Sequence, residues 1–127
     1  RELQRALVAQ SKDDGESWSI ARDTDIPNPS SSLEVIALRD GRWVMIFNDS
    51  DRGRHILSLA MSDDEGQAWK WKRTLEQAEP GTGSYSYPSL LQATDGRLHA
   101  TYTFNEAAGK SIKHVVLDAD WITGGQE

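Results

Sequence analysis

Apolar positions along this chain come in short runs, and each run is closed by a turn signal. Ala6-Leu7-Val8-Ala9 is the first, Leu33-Glu34-Val35-Ile36-Ala37-Leu38 and Trp43-Val44-Met45-Ile46-Phe47 form a pair, and Ile56-Leu57-Ser58-Leu59-Ala60-Met61 follows. Runs this short, bounded by Gly, Asp and Ser, predict strands rather than helices. Asp40-Gly41, between the paired runs, predicts a hairpin. Pro27 and Pro29 exclude helix and central strand from Asp25 to Ser32, so that stretch is expected to be a connection.

The pattern recurs. Ser11-Lys12-Asp13-Asp14-Gly15-Glu16-Ser17-Trp18 follows the first run, and Ser62-Asp63-Asp64-Glu65-Gly66-Gln67-Ala68-Trp69 follows the fourth, 51 residues later. Both read S-x-D-x-G-x-x-W. Asp95-Gly96 lies 55 residues after Asp40-Gly41, and Leu98 to Asn105 echoes Trp43 to Asn48 down to a closing Phe-Asn. A period near 50 residues indicates stacked or radially arranged units. Two hairpin types alternating at that period describe four-stranded antiparallel blades.

The expected units are the end of one blade over 5–24, a complete blade over 28–76 and an incomplete blade over 84–127, about nine strands in all. No third copy of the motif follows Ile112 to Leu117; Asp120 to Glu127 stands where a turn and fourth strand are expected. The fold class is therefore all-β, a partial β-propeller, with a two-sheet sandwich as the competing architecture. A closed ring needs about four blades or more, so the chain reads as a piece of a propeller or as a protomer that completes its ring with others.

The repeated octapeptide reads as a tight turn. Its Gly takes positive φ without steric cost, its Ser and Asp side chains bond nearby backbone, and Trp18 and Trp69 cover the hairpin. A calcium loop is the alternative, but Asp13, Asp14, Asp63, Asp64 and Glu65 lack the EF-hand spacing and its terminal Glu. His55, His99 and His114 fall on separate expected strands without metal-ligand spacing, each as a strand-surface residue. No metal and no cofactor is expected.

Composition narrows the partners. In 127 residues, 37% hydrophobic and 27% charged content fits a folded chain, and no cysteine is present to make a disulfide or a thiolate nucleophile. No apolar stretch reaches the length of a membrane span, and Arg1-Glu2-Leu3-Gln4 lacks a leader pattern, so no membrane partner is expected and the compartment stays open. A net charge of −6 argues against nucleic acid. An anionic ligand would need a local arginine cluster.

S-x-D-x-G-x-x-W resembles the Asp-box of the sialidase (neuraminidase) superfamily. Asn28-Pro29-Ser30-Ser31-Ser32, Gly53-Arg54 and Tyr85-Ser86-Tyr87-Pro88 are further similar to its bacterial BNR-repeat-like group. The resemblance spans nearly the whole chain and implies the C-terminal part of a six-bladed propeller. It implies structural roles on outer turns for Ser11, Asp13, Gly15 and Trp18, and for Ser62, Asp64, Gly66 and Trp69. Asp-boxes also occur in non-catalytic propellers, so the fold transfers more readily than activity.

For chemistry, the resemblance implies a retaining exo-α-sialidase acting on a terminal anionic sugar. Three arginines clamp the substrate carboxylate, and a tyrosine activated by a glutamate is the nucleophile, a departure from the usual carboxylate pair. The reason is electrostatic: an anionic nucleophile is repelled by the substrate's carboxylate, whereas a neutral phenol is not. Arg54 and Tyr85, 31 residues apart, fit the third arginine and the nucleophile. Arg52 competes with Arg54, Tyr87 sits two residues on and on the same strand face as Tyr85, and Glu34 could approach the same channel mouth. The other arginines, the acid/base Asp and the Glu partner would lie upstream, leaving this chain inactive alone. The alternatives are a non-catalytic carbohydrate-binding or structural propeller, and a partner-binding scaffold. Self-association through open blade edges is also expected.

Overall fold

The computed structural model describes residues 4–124. Arg1-Glu2-Leu3 and the last three positions of the expected third unit, 125–127, lie outside the described residues. Nine strands form three antiparallel sheets. β1 (Arg5–Val8) and β2 (Arg22–Pro27) make the first; β3 (Glu34–Ala37), β4 (Trp43–Asn48), β5 (Ile56–Ser62) and β6 (Trp71–Gln77) make the second; β7 (Gly83–Gln92), β8 (Leu98–Glu106) and β9 (Gly109–Leu117) make the third. Strands pair in sequence order within each sheet, which is the meander of a propeller blade.

The Asp-Gly hairpins are built alike. Leu38 N–H bonds Arg42 O at 2.7 Å and Ala93 N–H bonds Arg97 O at 2.8 Å, so each loop has three residues and closes on a glycine, Gly41 at φ +93° and Gly96 at φ +90°. This is a type I turn with a left-handed third position, where glycine avoids the Cβ clash. In each, the Asp also holds the following Arg, Asp40 to Arg42 and Asp95 to Arg97.

The octapeptide turns are a second repeated device. Ser11 Oγ accepts from Gly15 N–H at 2.8 Å and donates to Asp13, whose carboxylate accepts Ser17 N–H at 2.9 Å. Ser62, Asp64, Gly66 and Ala68 repeat the arrangement with Gly66 N–H at 2.9 Å and Ala68 N–H at 2.9 Å. Each carboxylate is held below its ordinary range by these donors, Asp13 at about 2, with the Ser17 hydroxyl the main cause, and Asp64 mainly through Ala68 N–H. Trp18 closes its own turn by donating to Gly15 O at 3.1 Å.

The core lies between the second and third sheets. Val44, Ile46, Leu57, Leu59 and Met61 meet Leu90, Leu98, Ala100, Tyr102 and Leu117 there. The opposite face of the second sheet buries Met45, Phe47 and Ala60 under Ile26 and Leu33. Alternation along β4 thus feeds two interfaces from one strand, as expected for a sheet buried on both sides.

Three expectations are corrected. Asp25 to Pro27 belongs to strand β2 rather than to a connection, because the proline ends the strand, where its missing donor is tolerated. A one-turn helix, α1 (Ala119–Thr123), stands where a turn and fourth strand were expected. Asp118 caps it, accepting Trp121 N–H at 3.0 Å, and Ile122 is buried in the core. The third correction concerns Tyr85 and Tyr87. The β7–β8 register shifts between Ser86 and Ser89, and Tyr87 adopts φ +53°, so the two tyrosines do not share a face.

Candidate functional site

Strand pairing places the functional candidates at one end of the sheets. Asn48 pairs with Leu57, while Trp43 pairs with Ser62 at the far end, so the loop carrying Arg52 and Arg54 lies opposite the Ser62–Trp69 turn. The start of β7 and the end of β8 come to the same end as that loop, since Tyr85 N–H bonds Arg54 O at 2.8 Å.

Between these segments is an open cavity of about 700 Å³, lined among others by Arg52, Arg54, His55, Gly83, Asn105 and Glu106. The Arg52 loop is shaped by Ser50, whose hydroxyl donates to Arg52 O at 2.6 Å and accepts Arg52 N–H at 3.0 Å. Gly53 follows at φ +77°, which turns the chain back toward Arg54. Arg52 is almost fully exposed, with Asp51 3.8 Å away. The Arg54 guanidinium carbon lies 5.3 Å from the centre of the Tyr87 ring, within cation–π reach.

Tyr85 and Tyr87 have opposite surroundings. Tyr87 is 66% exposed, whereas Tyr85 is buried in the core between the sheets, tilted against Phe104. The Tyr85 hydroxyl donates to Glu106 at 2.6 Å. Burial, then the hydrogen bond and the negative charge of Glu106, push the Tyr85 phenol up to about 12. A second pair of the same kind lies behind it: Tyr102 donates to Glu76, which also binds Lys113 at 2.6 Å, and burial raises the Tyr102 phenol further.

Glu34 is away from this cavity. Its carboxylate accepts Leu90 N–H at 2.5 Å and the Ser89 hydroxyl at 3.5 Å, joining β3 to β7 just beyond the bulge. The expectation of separate strand-surface histidines also changes, since His99 Nδ1 and His114 Nε2 lie 2.9 Å apart across β8 and β9. Among the described residues, no group of three or more His, Cys, Asp or Glu is placed to hold a metal ion.

Two residues escaped the sequence reading. Glu106 is the one carboxylate lining the cavity, and counting pairs outward from the Asp95-Gly96 turn places it opposite Gly83, two residues before Tyr85. Asn48 is fully buried and donates to both Ile56 O at 3.1 Å and Tyr85 O at 2.8 Å while accepting from the Ser31 hydroxyl at 2.7 Å. The echoed Phe-Asn pair was its only sequence signal. Asn48 ties the second sheet, the third sheet and the Asn28–Ser31 turn into one joint beneath the cavity.

Sheets of this meander topology, packed face to face with repeated turns at one end and a cation-lined cavity at the other, define a partial β-propeller of the repeat type. A family model for the BNR repeat-like domain matches residues 1–100, and the chain belongs to that family. No curated protein matches the chain.

Proposed function

We propose that the cavity binds the carboxylate of a terminal anionic sugar, and that the protein is a sialidase-type retaining exo-glycosidase whose tyrosine nucleophile is Tyr87 rather than Tyr85. The observation that carries this reading is the pairing of Arg54 with an exposed Tyr87 held at φ +53° at the edge of the cavity. A non-glycine residue in the left-handed region stores strain that is commonly found at functional sites. Arg54, with the more exposed Arg52, offers forked donors suited to a carboxylate.

The phenol fits the chemistry because it is neutral when the anionic sugar arrives and is deprotonated only on attack. Tyr85 is the second reading. Its 2.6 Å bond to Glu106 has the nucleophile-and-base geometry, but its hydroxyl is buried and already committed. A third reading keeps Arg54 and Tyr87 as a sugar-binding surface without chemistry.

The test uses a fluorogenic sialoside with the protein in its natural full length, and sialic acid binding to this chain by saturation-transfer NMR. Arg54→Ala is expected to weaken binding by about tenfold or more. Tyr87→Phe is expected to abolish hydrolysis with binding retained, and Tyr85→Phe to leave hydrolysis within a few-fold. The reverse pattern moves the nucleophile to Tyr85. Binding without hydrolysis in the wild type supports the non-catalytic reading, and absence of both overturns the proposal.

A further inference from the structure

Two faces of the stack of sheets are uncovered, one at each end. The second sheet is packed on both sides, but the third sheet is packed on one only. Its other side carries two complete cross-strand rows, Leu91–His99–Val116 and Ser89–Thr101–His114, and then Thr103 beside Ile112. Leu91 is 56% exposed and Ile112 71%. The imidazoles of His99 and His114 border a recess of about 300 Å³ with Leu91, Ala93 and the Ser89 and Thr101 side chains. No acidic residue stands in these rows, on a protein of net charge −6, and Lys110 extends the same side of β9.

At the far end of the stack the first sheet shows the complementary character. Leu7 is 53% exposed and pairs across β1 and β2 with Asp23, and Asp25 lies on that same side of β2. The inward side carries Ile26, which covers Phe47 and Met45.

We propose that a second copy of this chain covers the open face of the third sheet with the outward side of its own first sheet, head to tail. Three observations support it. The contact continues the order already present within the chain, where the first sheet lies on the second and the second on the third. Apolar rows meet Leu7, while the imidazoles and Lys110 meet Asp23 and Asp25. Two copies of three sheets also make six, within the usual four to eight blades of a closed propeller, so the two equivalent contacts leave neither face open.

The face is favoured over the edge of β9. That edge strand carries Lys110 and Lys113, charges of the kind that oppose strand addition, and Lys113 is already engaged by Glu76.

Sedimentation of the wild-type chain over a concentration series tests this, with a limiting species expected at twice 14.2 kDa. Ile112→Glu on one face and Leu7→Glu on the other are each expected to weaken the dimer about tenfold or more, since each buries an unpaired charge. Both positions are exposed, and circular dichroism identifies any variant that fails to fold. Mixing the two variants restores one intact contact, so mixed dimers are expected to re-form. A chain that stays monomeric, a dimer indifferent to Leu7→Glu, or unlimited growth of the assembly overturns the proposal.

Discussion

The Tyr85 hydroxyl donates to Glu106 at 2.6 Å, and Gly83 makes the room for it, since a Cβ at that position would lie 2.8 Å from the same oxygen. The closest carboxylate to the cavity is thus oriented from below by a core residue. Tyr85 and Tyr87 divide two tasks that one strand face could not hold together: one ring fills the interface between sheets, and the other faces solvent beside Arg54.

Alkaline titration should reveal the buried phenols. Tyr85 keeps its proton up to about 12 in the fold, whereas an unfolded tyrosine loses it near 10. A folded value raised above the unfolded one contributes stability that is whole below about pH 10 and is lost as pH rises toward 12. The Tyr102 phenol is raised too, so it adds to the same loss. Urea midpoints measured from pH 9 upward are expected to fall through this window (~10–12). The fall should be shallower in Tyr85→Phe, with tyrosinate absorbance at high pH lagging in the wild type.

Removing the Asn48 side chain should be costly. Asn48→Ala leaves Ile56 O and Tyr85 O without their donor and empties a fully buried position, a loss of about 2–4 kcal/mol. Chemical denaturation measures it. A cost below about 1 kcal/mol would show that the joint between the sheets does not depend on this residue.

Two glycines at similar φ should differ in their tolerance of a methyl group. Gly66 has φ +83°, and a Cβ there would lie 3.0 Å from the Trp43 ring, whereas Gly41 at φ +93° has nothing within 4 Å. Gly41→Ala is expected to cost about 1–2 kcal/mol through backbone strain alone. Gly66→Ala should cost more, because Trp43 must also shift. Equal melting temperatures for the two variants would contradict this account.

The octapeptide turns predict an acid dependence. Asp13 is held at about 2 against an ordinary 3.8, so its contribution is present above about pH 4 and is lost as pH falls toward 2. Asp64 shifts in the same direction. Asp64→Ala, which removes the acceptor of Ala68 N–H, is expected to lower the melting temperature more than Asp63→Ala, which removes only the exposed contact with Lys70. The comparison is made at pH 7, and the gap should narrow in acid.

The strands around Asp40-Gly41 and Asp95-Gly96 were legible because turn chemistry and alternation are local. The same holds for the two octapeptide turns, whose Ser, Asp and Gly bond within their own eight residues. What escaped depends on distant partners. The shift between Ser86 and Ser89 coincides with the seat of Glu34 on Leu90 N–H, a contact between strands of different sheets. Helix α1 rests on a local cap at Asp118 but also on Ile122 entering the core and on Arg73, which donates to Trp121 O at 2.9 Å. Placing Glu106 and Asn48 required knowing which strand ends meet, and period-two alternation is silent on that.

The octapeptide turns and the cavity stand at opposite ends of the strands, and that separation bears on how such a chain can change over time. Residues that close the hairpins carry no ligand, and loops such as Asn48 to His55 carry cavity residues without setting the register of the sheets. Insertions at the cavity end can therefore alter what is recognised while the folding instructions stay intact. In engineering terms the molecule is a chassis with an exchangeable rim, and grafting a new recognition loop should begin between Asp49 and Gly53.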